Sequence, residues 1–146
     1  MSRMKRKGKF RMLIIVLVVL VILVALVLGG GLFFTARERR EGKNLPIAVV
    51  DFKKLNDGTF VGEYEGGMYK WRANKVEVTV SQGKVTDIQT LGDKKAGCNE
   101  KPEITNELFD RVTDAQSLQV DTVSSATITS KAYLKSVENA LTKAQK

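Results

Sequence analysis

Hydrophobic positions fall into four patterns along the chain, and each predicts a different element. Met12 to Phe34 is an unbroken run of 23 residues without charge, rich in Leu, Val and Ile. As a helix it would span roughly 34 Å at about 1.5 Å per residue, enough to cross a bilayer core of about 30 Å. Further on, Val76, Val78 and Val80 alternate with Glu77 and Thr79, the period-two signature of a half-buried strand. Ser81-Gln82-Gly83-Lys84 then reads as a tight turn and Val85 to Leu91 as the returning strand, an antiparallel hairpin. From Pro102 the period lengthens. Ile104, Leu108, Val112 and Ala115 form one helical stripe with Pro102 in its first turn, and Tyr133, Leu134, Val137, Ala140, Leu141 and Ala144 form a second.

Turn signals fill the intervals. Asn56-Asp57-Gly58 precedes Thr59 to Tyr64, a strand by its β-branched and aromatic content, interrupted by Gly62 and ended at Gly66-Gly67. Ile47 to Val50 is a short apolar patch expected to lie against the domain, and Gly92 to Asn99 is polar and loop-like. The fold class that follows is α+β: an N-terminal single transmembrane helix, then a small antiparallel-sheet domain with two or more helices. The expected divisions are a basic segment 1–11, a transmembrane helix 12–34, a linker 35–46 and a domain 47–146.

Charge changes the picture of partners. The net +8 lies entirely in residues 1–43, which carry 10 basic and 2 acidic side chains, while the remaining 103 residues carry 14 of each. A nucleic-acid-binding domain would need its basic excess on the folded part, so no nucleic-acid partner is expected. The excess instead flanks the apolar run, so a lipid bilayer is the expected partner there. A cleaved secretory signal usually has an apolar region of about 7–15 residues; this one is longer and continues through Leu32-Phe33-Phe34 beyond Gly29-Gly30-Gly31, which argues for an uncleaved anchor. The glycine triplet then permits close helix contact or kinking. The purer basic block, Arg3 to Arg11, precedes the helix and predicts a cytoplasmic amino terminus with residues 44–146 outside a cell membrane.

Composition removes several chemistries. With no histidine there is no imidazole base or ligand, and a single cysteine allows neither an internal disulfide nor a Cys-rich metal site, so no metal is expected. Cys98 is expected to be an inert free thiol. Glu63, Glu65 and Glu77 read as solvated strand faces. No Gly-x-Gly-x-x-Gly follows a strand, so nicotinamide oxidation by this chain alone is not expected.

The polar segment before the last stripe is Asp121-Thr122-Val123-Ser124-Ser125-Ala126-Thr127-Ile128-Thr129-Ser130, in which seven of ten residues bear a hydroxyl or carboxylate. Composition alone favours helix capping by Thr129 or Ser130, with anion binding by backbone N–H groups as the other reading. The order Asp121-x-x-Ser124-Ser125-Ala126-Thr127, followed by Thr129-Ser130-Lys131 and an amphipathic helix, resembles the flavinylation motif of the FMN-binding domain family. That family includes the flavin-carrying peripheral subunits of sodium-pumping NADH:quinone reductase and of Rnf-type complexes. The resemblance extends upstream through Asp57-Gly58-Thr59-Phe60-Val61-Gly62, the valine strand and Gly83-Lys84-Val85, and so covers about residues 45–146.

The resemblance implies FMN esterified through its phosphate to Thr127 by a separate flavin transferase, with Asp121, Ser124 and Ala126 at the other fixed positions. Ser125 replaces the usual glycine and would carry a β-carbon cost if its φ is positive. The implied function is a membrane-anchored, extracytoplasmic electron carrier, serving a redox complex or chain rather than acting as an independent enzyme. Its partners would be a membrane donor and a quinone, another flavoprotein or an extracellular acceptor. The alternatives are non-covalent FMN in the same role, or a binding or structural envelope module without flavin. Tyr64, Met68, Tyr69 and Trp71 surround a Gly-rich connection; packing against the flavin ring is one role for them, and core or hairpin packing is the expected one.

Overall fold

A computed structural model of the chain describes residues 2–67, 69–92 and 102–145, with residues 2–9 described by their backbone alone. Cys98 and Met68 therefore lie outside the described residues. The chain divides into two compact units, Met1–Arg37 and Glu38–Lys146.

The first unit is helical throughout. Helix α1 runs Ser2–Lys43 and so passes into the second unit. Its stretch from Phe10 is long and apolar enough to cross a membrane, with a mean hydropathy of 3.6 in its most apolar window. Leu, Val and Ile cover its whole circumference and all are exposed, the pattern of a helix whose apolar solvent is not its own protein. Gly29, Gly30 and Gly31 do not interrupt it, and apart from their chain neighbours and the adjoining helix backbone no atom of the described residues lies within 4 Å of a β-carbon built on any of them.

The helix also continues where a linker from residue 35 is expected. Ala36-Arg37-Glu38-Arg39-Arg40-Glu41 are strong helix formers, and the first proline is Pro46, so nothing stops the helix before Lys43. The Asn44 N–H closes the last turn on the Arg40 carbonyl at 3.0 Å.

The second unit is α+β. Strands β1 (Gly58–Tyr64), β2 (Asn74–Ser81) and β3 (Lys84–Thr90) form one antiparallel sheet in that order, and α2 (Pro102–Ala115) and α3 (Thr127–Ala144) cover one face. Val76, Val78 and Val80 are buried as their alternation predicts, with Val85 and Ile88 beside them on β3. Register is set locally by Gln82 and Gly83, whose φ values of 54° and 70° are those of a type I′ hairpin turn. Asp57 reinforces the turn by accepting from the Gly83 N–H at 2.8 Å.

Helix α3 presents Tyr133, Leu134, Val137, Ala140, Leu141 and Ala144 to the core, the complete expected stripe. On α2 the stripe is Leu108, Phe109 and Val112, with Ile104 half-buried; Ala115 is exposed where the chain leaves the helix through Gln116 at φ 47°. Phe109 and Tyr133 join the two helices edge to face, ring centroids 5.8 Å apart. The glycine within β1 has a steric cause: a β-carbon at Gly62 would stand 1.9 Å from the Ser136 carbonyl oxygen, so only glycine lets β1 approach α3 this closely.

Ile47 and Val50 pack half-buried on the core without forming a strand, and a single 3-10 turn, Phe52–Lys54, follows them, capped by the Asp51 carboxylate.

Candidate functional site

The segment before α3 is a closed turn rather than an open polar loop. The Ala126 N–H donates to the Val123 carbonyl at 3.0 Å, the Val123 N–H donates to the Ser130 hydroxyl at 3.2 Å, and the Ser130 N–H donates to the Ala126 carbonyl at 2.8 Å. Ser125 is the third residue of the Val123–Ala126 turn and has φ 66°. A positive φ at that position is what a type II turn demands and what glycine supplies without strain, so the β-carbon cost anticipated at Ser125 is real. Val123 and Ala126 turn inward and are buried, while Ser124 and Ser125 are exposed.

Neither Thr129 nor Ser130 caps α3, contrary to the composition-based expectation. The helix begins at Thr127, its N-cap is Ala126, and no side chain makes a capping hydrogen bond. Ser130 sits one turn inside and spends its hydroxyl on Val123, fully buried. The first backbone N–H groups of the helix, those of Thr127, Ile128 and Thr129, therefore face outward without an intrahelical acceptor, in the arrangement that favours an anion. Thr127 is exposed at this point. Asp121 is also exposed, and its carbonyl accepts from Arg111 at 2.8 Å. The turn thus brings Ser124, Ser125, Ala126 and Thr127 to one helix end, with Asp121 at the start of the same connection.

Lys131, one helical turn beyond Thr127 and on its side of α3, donates to the Lys43 carbonyl at 2.5 Å. Lys135 and Glu138 continue this line. Lys135 bonds Glu138 at 2.7 Å, and Glu138 accepts from the Ala48 N–H at 3.0 Å, so polar contacts from α3 hold the segment 43–48 in addition to the packing of Ile47 on the core.

A hollow of about 210 Å³ opens beside Ile128, the residue after Thr127. Leu45, Tyr64 and Ile128 give it apolar and aromatic walls, Gly66 and Gly67 bring backbone to its edge, and Arg72 lines it together with Glu38. Arg72 Nη1 lies 3.0 Å from Glu38 Oε1. Among the aromatics expected in core or hairpin packing, Trp71 is 53% exposed and lies tilted against Tyr69 at 5.6 Å between centroids, while Tyr64 is half-buried in the hollow wall. Core packing is therefore not the role of Trp71, because it follows a left-handed Lys70 at φ 55° that carries the β1–β2 connection outward. Glu38 and Arg72 were not apparent as site residues in the sequence. The one available signal was a carboxylate inside the basic run 37–40.

This architecture defines a small α+β module with a bare helix terminus, an exposed threonine on it and an apolar hollow alongside. The chain belongs to the FMN-binding domain family, whose model matches residues 70–142, half of its length, from the connection before β2 to the last turns of α3. FMN is thereby supported as the cofactor, and a flavin-binding electron carrier as the role. A comparison with curated proteins gives no match.

Proposed function

We propose that the protein is a membrane-anchored flavoprotein that carries electrons outside the cytoplasm, with FMN joined through its phosphate to the Thr127 hydroxyl. The observation that carries this reading is the exposed Thr127 at the first position of a helix that no side chain caps. A phosphodiester there would meet outward N–H groups and the positive end of the helix dipole, and Ser124 and Ser125 offer hydroxyls beside it. Ala126 closes the turn that presents the threonine, and Asp121 begins the connection that leads to it. The hollow next to Ile128 has apolar and aromatic walls in Leu45, Tyr64 and Ile128, which suits the ring end of a cofactor whose phosphate is held outside it.

A threonine hydroxyl is a weak nucleophile, and the chain has no histidine to activate it, so a separate flavin transferase performs the esterification. Bound FMN supplies the redox chemistry; the protein supplies position, solvent access and local charge. Residues 12–34 act as the anchor, with residues 1–11 cytoplasmic by their charge and residues 47–146 as the exported domain. Electrons pass from a membrane donor to a quinone, a second flavoprotein or an extracellular acceptor.

The test is denaturing electrophoresis under ultraviolet light, with intact mass, on full-length protein co-produced with a flavin transferase. The expected result is a fluorescent band and a mass greater by one FMN less one water. Thr127→Ala should abolish both and Thr129→Ala neither. Flavin that leaves on denaturation would establish non-covalent binding, and a colourless native protein would refute the carrier role.

A further inference from the structure

Glu38 is one of two buried carboxylates among the described residues of the second unit, the other being Glu138, and it is the one that lines the hollow. It is 6% exposed, whereas Arg37, Arg39 and Arg40 around it are exposed, and its carboxylate is held by Arg72. Burying such a pair seldom gains stability, because desolvation of both charges offsets their attraction. The pair also has a definite place: both residues line the hollow beside Ile128, with Tyr64 on its wall. The last turn of α1 closes on α3 at the same place. A β-carbon on Gly42 would stand 2.3 Å from Ile128 Cγ2, so the absence of a side chain at Gly42 lets the helix end reach the residue next to Thr127. All of these residues lie within Glu38–Lys146.

We infer that this hollow seats the flavin ring against Tyr64 and Ile128, and that the Glu38–Arg72 pair, with Glu38 supplied by the end of α1, places two opposed charges beside the ring whose balance keeps its reduction potential from being displaced in either direction. The inference rests on the FMN reading above. Two electrons and one proton added to a flavin leave it one unit more negative, so a neighbouring guanidinium favours the reduced form and a neighbouring carboxylate the oxidised form. In the pair the two effects nearly cancel. Removing one partner exposes the other, and the two removals shift the equilibrium in opposite directions. A merely structural pair would give no such opposition, since either loss would loosen the same contact.

The experiment uses the full chain in detergent, loaded by a flavin transferase, with FMN on Thr127 checked by intact mass. Midpoint potentials are read by dye-equilibrated titration with dithionite. Arg72→Gln is expected to favour the oxidised form by about tenfold, a fall of ~30 mV for a two-electron couple, and Glu38→Gln to give a rise of similar size, with the double variant near the parent value. Tyr64→Ala leaves the ion pair in place and is expected to raise flavin fluorescence several-fold by removing the aromatic wall, so it carries the test if a charge variant does not fold. Flavinylated variants whose potentials move together or not at all would overturn the charge pair, and unchanged fluorescence in Tyr64→Ala would overturn the seat. Both failures leave flavin attachment standing. A parent protein whose mass is that of the bare polypeptide would overturn the attachment and the seat together.

Discussion

Ser125→Gly is expected to stabilise the domain although it removes atoms and adds no contact. Ser125 occupies φ 66° in an exposed turn. The left-handed conformation costs a residue with a β-carbon about 1–2 kcal/mol. Glycine escapes that cost but loses about 0.5–1 kcal/mol more backbone entropy on folding. The difference is a gain of about 0.5–1 kcal/mol, worth roughly 2–8 °C in melting temperature for a domain of about 100 residues. Gln116 is the internal control, because it has a similar φ of 47° but a different employment. Its side-chain amide donates to the Val85 carbonyl at 2.8 Å and accepts from the Val85 N–H at 3.0 Å, standing in for a neighbouring strand on β3. Glycine there relieves the same strain but deletes both bonds, each worth about 1 kcal/mol, and leaves the Val85 groups without those partners. Gln116→Gly should therefore lower the melting temperature while Ser125→Gly raises it. Thermal unfolding followed by circular dichroism on the full chain decides the matter. A Ser125→Gly protein that melts at or below the parent temperature would refute the strain argument, as would two variants that shift in the same direction.

Three further outcomes follow from the packing. Gly62→Ala should destabilise by about 3 kcal/mol in chemical denaturation, because its new methyl meets the α3 backbone, which cannot yield as a side chain would; an unchanged midpoint would show that β1 does not lie this close. Glu138→Ala removes the acceptor of the Ala48 N–H and the partner of Lys135, so residues 44–51 should be cleaved several-fold faster in limited proteolysis, and equal rates would mean that the segment is held by other means. The carboxyl of Glu63 is held below its ordinary value of 4.5, chiefly by the hydrogen bond from Lys75 and then by that ammonium's charge. A depressed carboxylate stabilises the fold above its unfolded value and loses that contribution as pH falls through its folded one. Lys75→Met should therefore flatten the acid dependence of the unfolding midpoint below about pH 4.5 and move Glu63 upward in an NMR titration; an unmoved Glu63 would refute the pairing.

The parts legible in the sequence are those whose cause is local. Val76, Val78 and Val80, the Gln82-Gly83 turn and the stripe from Tyr133 to Ala144 each follow from a period or a turn requirement within a few residues. The family relationship was legible through the order of features, and Ser125 showed its strain because a family glycine was missing there. The extension of α1 to Lys43 was hidden, since Arg and Glu serve a linker and a solvated helix equally well. The start of α3 was misjudged toward Thr129 and Ser130 because hydroxyl abundance resembles capping, whereas the tertiary contact of Ser130 with Val123 leaves the cap to Ala126. Glu38 was hidden for a different reason: its partner Arg72 lies 34 residues away, and nothing in a run of charges reports which one will be buried.

Leu55 and Gln145 form an antiparallel bridge, Asn56 donates to the Ala144 carbonyl at 2.7 Å, and the Gln145 amide reaches the Asp51 carbonyl. The far end of α3 is thereby stitched to the beginning of the domain, roughly 26 Å along the helix axis from Thr127 at about 1.5 Å per residue. An affinity tag, a fluorescent reporter or an immobilising linker grafted after Gln145 would thus leave from the end of the helix remote from the threonine, and the handle by which an experimenter holds the protein need not shade the position proposed for the flavin.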